Sequence, residues 1–281
     1  MKFYSFFILL CFFSSPLKAQ EVYNQSFSVS GLEHFLLSNI EGDISVRQSK
    51  DDQIRVRAIW NGKSPEYKDH IKLKQAEDYL AVYIHLPHRC GIENNTFDPA
   101  HPLRIVSQGM DCRWENEDAP PVLDFELWVP IGVNVYVSTI NHGDLDVVDI
   151  RNTLWTHNVN GSIRISKVDK LLSATTVNGQ VEIEMNQVPD RQARFSTING
   201  DIRLQLPEEM NADINFKTFN GEFFTDHKEV KVLPMQKLLE DEKGHFKYKV
   251  DDRQKIRLGA GGPALDFETF NGNVYILAGN S

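Results

Sequence analysis

The chain reads as an all-β protein, a β-solenoid or β-roll of stacked repeats of about 18–21 residues carried on one chain and broken by irregular insertions. Five octapeptides carry the reading: Asn158–Ile165, Thr176–Ile183, Thr197–Leu204, Thr218–Thr225 and Thr269–Ile276. Each has Asn-Gly at its centre, as Asn160-Gly161, Asn178-Gly179, Asn199-Gly200, Asn220-Gly221 and Asn271-Gly272, followed by alternating β-formers. The glycines Gly143, Gly161, Gly179, Gly200 and Gly221 are separated by 18, 18, 21 and 21 residues. That interval holds two short strands and two turns, one supersecondary unit per repeat.

Asn-Gly between alternating runs is also a hairpin signal, so an antiparallel meander competes with stacked coils. Equal spacing and one corner chemistry point to coils, where each corner rests on the one before and identical Asn side chains can form a ladder. The outward positions add a second argument. Aligned on glycine, one column reads Asp146, Arg164, Glu182 and Arg203, alternating in sign, and opposite charges on adjacent strands attract. The same column continues into Phe224 and Tyr275 as an aromatic contact surface. In Thr197–Leu204 the alternation assigns Ile198, Ile202 and Leu204 to the inside and Asp201 and Arg203 to the outside.

Along the chain, residues 1–19 carry Lys2, an apolar run from Phe3 to Phe13 and a small-residue stretch ending at Ala19, the pattern of a cleaved export signal. The remaining residues, 20–281, form one repeat domain. Short strands at 25–30, 43–47, 53–58 and 79–84 alternate with period two, and Gly42 marks a diverged copy in which Glu41 replaces Asn. An insertion spans 86–121. Regular copies run from Asp124 to Asp226, three of them led by Pro130, Pro189 or Pro207, each read as opening a strand. An excursion over 226–262, with a short helical turn at Met235–Asp241, precedes the last copy.

At these residues the chain resembles the bacterial putative-adhesin family of exported β-strand-repeat proteins, whose function is not established. The pattern Ser/Thr-x-aliphatic-Asn-Gly-x-aliphatic-x-aliphatic carries the resemblance over Asp124–Asp226 and again over Leu265–Leu277. It implies an elongated, right-handed solenoid and transfers no catalytic residue. Asn141-His142-Gly143 and Glu41-Gly42 depart from the pattern.

Composition narrows the partners. The net charge of −9 becomes −11 once Lys2 and Lys18 leave with the signal, which argues against nucleic acid and anionic membrane. No later stretch has the length of a transmembrane helix. Export places the chain in the periplasm or at the cell surface, with an envelope protein or a glycan as partner and no cofactor. Cys90 and Cys112 then form a disulfide, closing a loop worth roughly 3 kcal/mol. With His85, His88 and His101 they also have the composition of a zinc site, a reading that export disfavours. Carboxylates at Asp144, Asp146, Glu182, Glu184, Asp201 and Glu208 raise a competing class, a polysaccharide-cleaving enzyme on the same scaffold. Their regular outward spacing fits a solvated strand face instead, and the chain reads as non-enzymatic. A third class is a periplasmic regulatory or structural partner of envelope proteins.

Overall fold

The computed structural model describes residues 22–60, 70–85, 121–234, 237–242, 245–250 and 253–279. Alternating apolar residues build its strands, beginning with β1 (Val22–Ser28), β2 (His34–Ser38), β3 (Ile44–Gln48), β4 (Gln53–Trp60), β5 (Ile71–Gln75) and β6 (Tyr79–Ile84). The repeats supply β7 (Leu123–Val129), β8 (Asn134–Ser138), β9 (Leu145–Val148), β10 (Thr153–His157), β11 (Ile163–Val168), β12 (Lys170–Thr175), β13 (Val181–Met185), β14 (Ala193–Asn199), β15 (Ile202–Pro207), β16 (Ala212–Asn220) and β17 (Phe223–Thr225). After these come β18 (Val230–Leu233), β19 (Lys237–Glu242), β20 (His245–Val250), β21 (Gln254–Leu258), β22 (Ala264–Asn271) and β23 (Val274–Gly279).

Two large mixed sheets result, and neither closes on itself. Sheet I has the order β1-β4-β7-β3-β9-β11-β13-β15-β23-β17, and sheet II the order β18-β21-β16-β22-β14-β12-β10-β8-β2-β6-β5. From β8 to β17 consecutive strands alternate between the sheets, and they pair parallel with one another and with β22 and β23. A strand of sheet II and the strand of sheet I that follows it therefore make one rung. Antiparallel strands flank the rungs: β4 and β1 beyond β7, β5 beyond β6, and β21 and β18 beyond β16.

The core lies between the sheets and draws on both. Ile163, Val181, Ile202 and Val274 enter it from sheet I, and Leu154, Phe195, Ile214 and Phe267 from sheet II, all nearly or fully excluded from solvent. Each fully buried aliphatic or aromatic side chain contributes about 1.5–3 kcal/mol, so this apolar seam fixes which face of every strand turns inward. Phe195 and Phe267 pack ring to ring at 5.1 Å inside it.

The glycines of the repeat need room more than a special backbone. A Cβ on Gly143, Gly161, Gly179, Gly200, Gly272 or Gly221 would overlap the carbonyl of the glycine on the adjacent rung. Only Gly200 among these six combines the close approach with a positive φ, +155°. Three residues before Gly161, Gly179, Gly200 and Gly272, and four before Gly143 because of the inserted His142, stands a Thr or Asn that turns inward and donates to that same neighbouring carbonyl. Thr139 donates to Gly42 at 3.1 Å, Asn158 to Gly143 at 2.8 Å, Thr176 to Gly161 at 2.9 Å, Thr197 to Gly179 at 3.0 Å and Thr269 to Gly200 at 3.2 Å. These side chains satisfy carbonyls that the tight corner leaves over. At the opposite corner Asp149 and Lys167, 18 residues apart, both adopt φ +57°, and the inserted His142 adopts φ +48°.

Rung order departs from chain order: β22 sits between β14 and β16, and β23 between β15 and β17. Three expectations change. The helical turn expected at Met235–Asp241 is not found from Lys237 on, because Lys237–Glu242 is a strand paired antiparallel with His245–Val250, and Met235 and Gln236 lie outside the described residues. Ile198 does not point inward and is 47% exposed, since Thr197 takes the inside position to reach its carbonyl. The prolines do not open strands: Pro130 follows β7 before a turn, Pro189 lies in a loop, and Pro207 is the last residue of β15. A ring that lacks an N–H is tolerated where the ladder is already ending.

Candidate interaction surface

The corner asparagines form a continuous side-chain ladder down one edge of the molecule. Asn160 donates to Asn141 at 3.0 Å, Asn178 to Asn160 at 2.8 Å, Asn199 to Asn178 at 2.7 Å, Asn271 to Asn199 at 2.9 Å and Asn220 to Asn271 at 2.8 Å. A primary amide has one donor and one acceptor to spare along this axis, which is why the residue type repeats. Glu41 occupies the next position, paired to Asn141 through the backbone and 3.2 Å from the ring of His142.

One residue after each glycine a second ladder runs. Asp124 accepts the Asp43 N–H at 2.9 Å, Asp43 that of Asp144 at 2.8 Å, Asp144 that of Ser162 at 2.8 Å, Asp201 that of Asn273 at 2.9 Å, and Asn273 that of Glu222 at 2.9 Å. Asp144 and Asp201 are thus committed to neighbouring backbone. The recurrence of Asp, Ser or Asn after Asn-Gly is the signal that would have revealed this capping role, and the sequence reading passed over it.

The charge column lies on the outer face of sheet I in strict register. Asp146 is opposite Arg164, Arg164 opposite Glu182, Glu182 opposite Arg203, Arg203 opposite Tyr275, and Tyr275 opposite Phe224. Its ion pairs also reach beyond the column. Arg164 holds Asp144 at 2.8 Å and Glu182 at 3.8 Å, Arg203 holds Asp201 at 3.2 Å, and Asp146 is taken by Arg47. The hydrogen bond that Arg164 donates to Asp144, then the Asp144 charge, hold its guanidinium above the usual range. Arg203 also lies over the Tyr275 ring, 4.3 Å from its centroid, and Tyr275 stacks on Phe224 at 5.0 Å and 12°. Because β23 is inserted before β17, Tyr275 precedes Phe224, which ends the column and is 40% exposed.

Between this column and the next outward one a trough of about 430 Å³ crosses five strands of sheet I. Asp146, Arg164, Glu182 and Arg203 form one bank, and Ser166, Glu184, Gln205 and Leu277 the other. Ile165, Ile183 and Leu204 turn their side chains into the core, so their backbone is the floor.

A second exposed feature lies on the outer face of sheet II beside the Asn ladder. Phe219, 74% exposed, and Phe270, 50% exposed, stack at 4.8 Å and 5°, and Ile198 adjoins them on the next strand. Trp155, farther along sheet II, packs flat on Tyr136 at 4.2 Å. Near it His157 is half-buried, both its ring nitrogens are shielded from solvent without a hydrogen-bond partner among the described residues, and burial pushes its pKa down.

Among the described residues no group of three or more His, Cys, Asp and Glu side chains is placed to hold a metal ion. His85 is described, whereas His88, Cys90, His101 and Cys112 lie outside the described residues, as do residues 1–19. Among the described residues no helix is long and apolar enough to cross a membrane. Glu208 pairs with Lys228 and does not line the trough.

No family model matches the chain, and no curated protein matches it. Several solved structures do. A "putative cell adhesion protein" from Clostridium sporogenes aligns over 93% of this chain and 100% of its own at 10% identity, with a TM-score of 0.44. A "putative adhesin" from Bacteroides fragilis aligns over 92% and 98% at 10% identity, with a TM-score of 0.37. A "putative lipid binding protein" from Parabacteroides distasonis aligns over 92% and 97% at 9% identity, with a TM-score of 0.29.

Proposed function

We propose that the chain is a non-enzymatic, exported β-solenoid that presents the outer face of sheet I as an interaction surface in the cell envelope. The trough is the observation that carries the proposal. It is a concave strip in which charged, amide and hydroxyl groups recur at rung spacing, held in register by backbone pairing on both sides. Rigid strands position such groups better than loops do. Support for the solenoid is the alternation of successive strands from β8 to β17 between two facing sheets, paired parallel with one another within the stack.

The disposition of the carboxylates supports a non-catalytic role. A glycosidase needs one free acid and one free base flanking an open site. Here Asp144 and Asp201 cap backbone N–H groups, and Asp146 and Glu182 sit on either side of the Arg164 guanidinium.

The test is retention of the purified chain on an isolated envelope fraction. Arg164→Gln with Arg203→Gln should lower retention at least tenfold. An exchange of the Arg194–Glu268 pair on the outer face of sheet II should leave it unchanged. Equal retention of both variants would refute the assignment of the face. Fractionation of the producing cell addresses export separately, and recovery of the chain in the cytoplasm would contradict it.

A further inference from the structure

We infer that the trough takes an extended, uncharged polysaccharide chain laid across the strands, about one sugar per rung. This rests on the reading of sheet I as the contact face and names what that face holds.

Direction comes first. The banks are contributed by β9, β11, β13, β15 and β23 in succession, so the long axis of the trough runs perpendicular to the strands. Neighbouring strands are about 4.8 Å apart, which makes five rungs roughly 19 Å from first to last. That shape suits a linear polymer more than a compact metabolite. The rung interval is close to the length of one pyranose unit in an extended glycan. An extended peptide presents same-face residues about every 6.7 Å and drifts out of step with the rungs.

Charge selects among polymers. Asp146, Arg164, Glu182 and Arg203 alternate in sign along one bank. A polyanion or a polycation would meet its own sign at every second rung. A sugar hydroxyl donates to a carboxylate and accepts from a guanidinium, so a neutral polyhydroxylated chain is matched at every rung.

Capacity and apolar contact complete the argument. A guanidinium has five N–H donors, and the ion pairs of Arg164 and Arg203 leave several unused. On the opposite bank Ser166, Glu184 and Gln205 make no side-chain hydrogen bond to the described residues, so their groups are open to a ligand. Past Arg203 the column turns into Tyr275 and Phe224, whose rings supply an apolar surface for the C–H face of a sugar.

The experiment is titration calorimetry of the purified chain with neutral linear hexasaccharides of β-1,4-glucose, β-1,3-glucose, β-1,4-mannose and N-acetylglucosamine. Hexagalacturonate, a chitosan hexamer and an uncharged hexapeptide stand as the alternatives. At least one neutral hexasaccharide should bind. Its trimer should bind at least tenfold more weakly, and Arg164→Gln with Arg203→Gln should weaken the hexamer at least tenfold while the melting temperature stays within a few degrees. Silence of all four neutral sugars, binding independent of length, or preference for the charged or peptide probes would overturn the inference. If envelope retention still depends on sheet I while the sugars are silent, the ligand class is wrong and the face stands. If neither depends on sheet I, both readings fall. Recovery of shortened sugar would contradict the non-enzymatic role.

Discussion

Replacing Gly179 by Ala tests how the corners stack. A Cβ there would lie 2.6 Å from the Gly161 carbonyl carbon and 3.0 Å from the Ser162 nitrogen, and would overlap the Gly161 oxygen. All three contacts are to backbone, which cannot swing aside, so the two rungs must part. Parting them loosens the Thr176 bond to Gly161 O (2.9 Å), the Gly161 N–H bond to Asn178 O (3.0 Å) and the Asn178 bond to Asn160 (2.8 Å). At about 1 kcal/mol each the loss is about 3 kcal/mol. Restricting the unfolded chain returns roughly 0.4–1 kcal/mol, leaving a net cost of about 2–3 kcal/mol. For a chain of this length that lowers the melting temperature by roughly 5–10 °C. Urea unfolding followed by tryptophan fluorescence measures it. Gly132→Ala is the control: its φ is +99° but nothing lies within 4 Å of the added carbon, so it should cost only about 1 kcal/mol. A Gly179→Ala protein no less stable than the Gly132→Ala protein would refute the close-approach argument.

Other outcomes follow from the same geometry. Asn178→Ala removes two ladder bonds, at 2.8 and 2.7 Å, and should cost about 1–2 kcal/mol in the same unfolding assay, because both bonds are exposed. Arg203→Cys with Tyr275→Cys places thiols on directly paired residues, within disulfide reach at a spacing of about 4.8 Å. Arg203→Cys with Phe224→Cys, two rungs apart at roughly 9.6 Å, should stay reduced. Mass spectrometry under non-reducing conditions distinguishes this rung order from one in which β17 follows β15. His157 is neutral in the folded state and its pKa is lowered by burial. Its unfolded form therefore binds more protons below the ordinary imidazole value, so stability is full above about pH 6.5 and falls as pH drops toward the lowered folded value. His157→Phe should flatten that part of the pH–stability profile. An unchanged slope would assign the acid sensitivity to another group.

The repeat unit was legible because its residues each answer a local demand. Glycine gives way to the neighbouring carbonyl, Asn passes a hydrogen bond along the edge, and alternating Ile, Val and Leu mark the buried face. Rung order was not legible. Parallel pairing of near-identical corners is degenerate, so any copy can rest on any other, and the return of the chain through β21 decides that β22–β23 enters between β14–β15 and β16–β17. Matching aromatics were the available hint: Phe219 with Phe270 and Phe224 with Tyr275 occur only in the two copies that adjoin. Ile198 was misplaced because period two was carried across a corner, where a buried Thr resets it. Lys237–Glu242 looked helical from its own residues, yet the register sets Glu240 opposite Lys247 and Leu239 opposite Tyr248, a pairing visible only with both strands in view. The charge column was readable as a pattern, whereas its true ion partners, Asp144 and Asp201, stand two residues earlier and already hold backbone.

The contact face is tested most directly by hydroxyl-radical footprinting of the chain with and without the envelope fraction. Tyr275, Phe224 and Leu277 on sheet I should become protected, while Phe219, Phe270 and Val232, exposed on sheet II, should oxidise as before. Protection of the Phe219–Phe270 stack with Tyr275 and Phe224 unchanged would place the contact on the wrong side of the molecule and contradict the account.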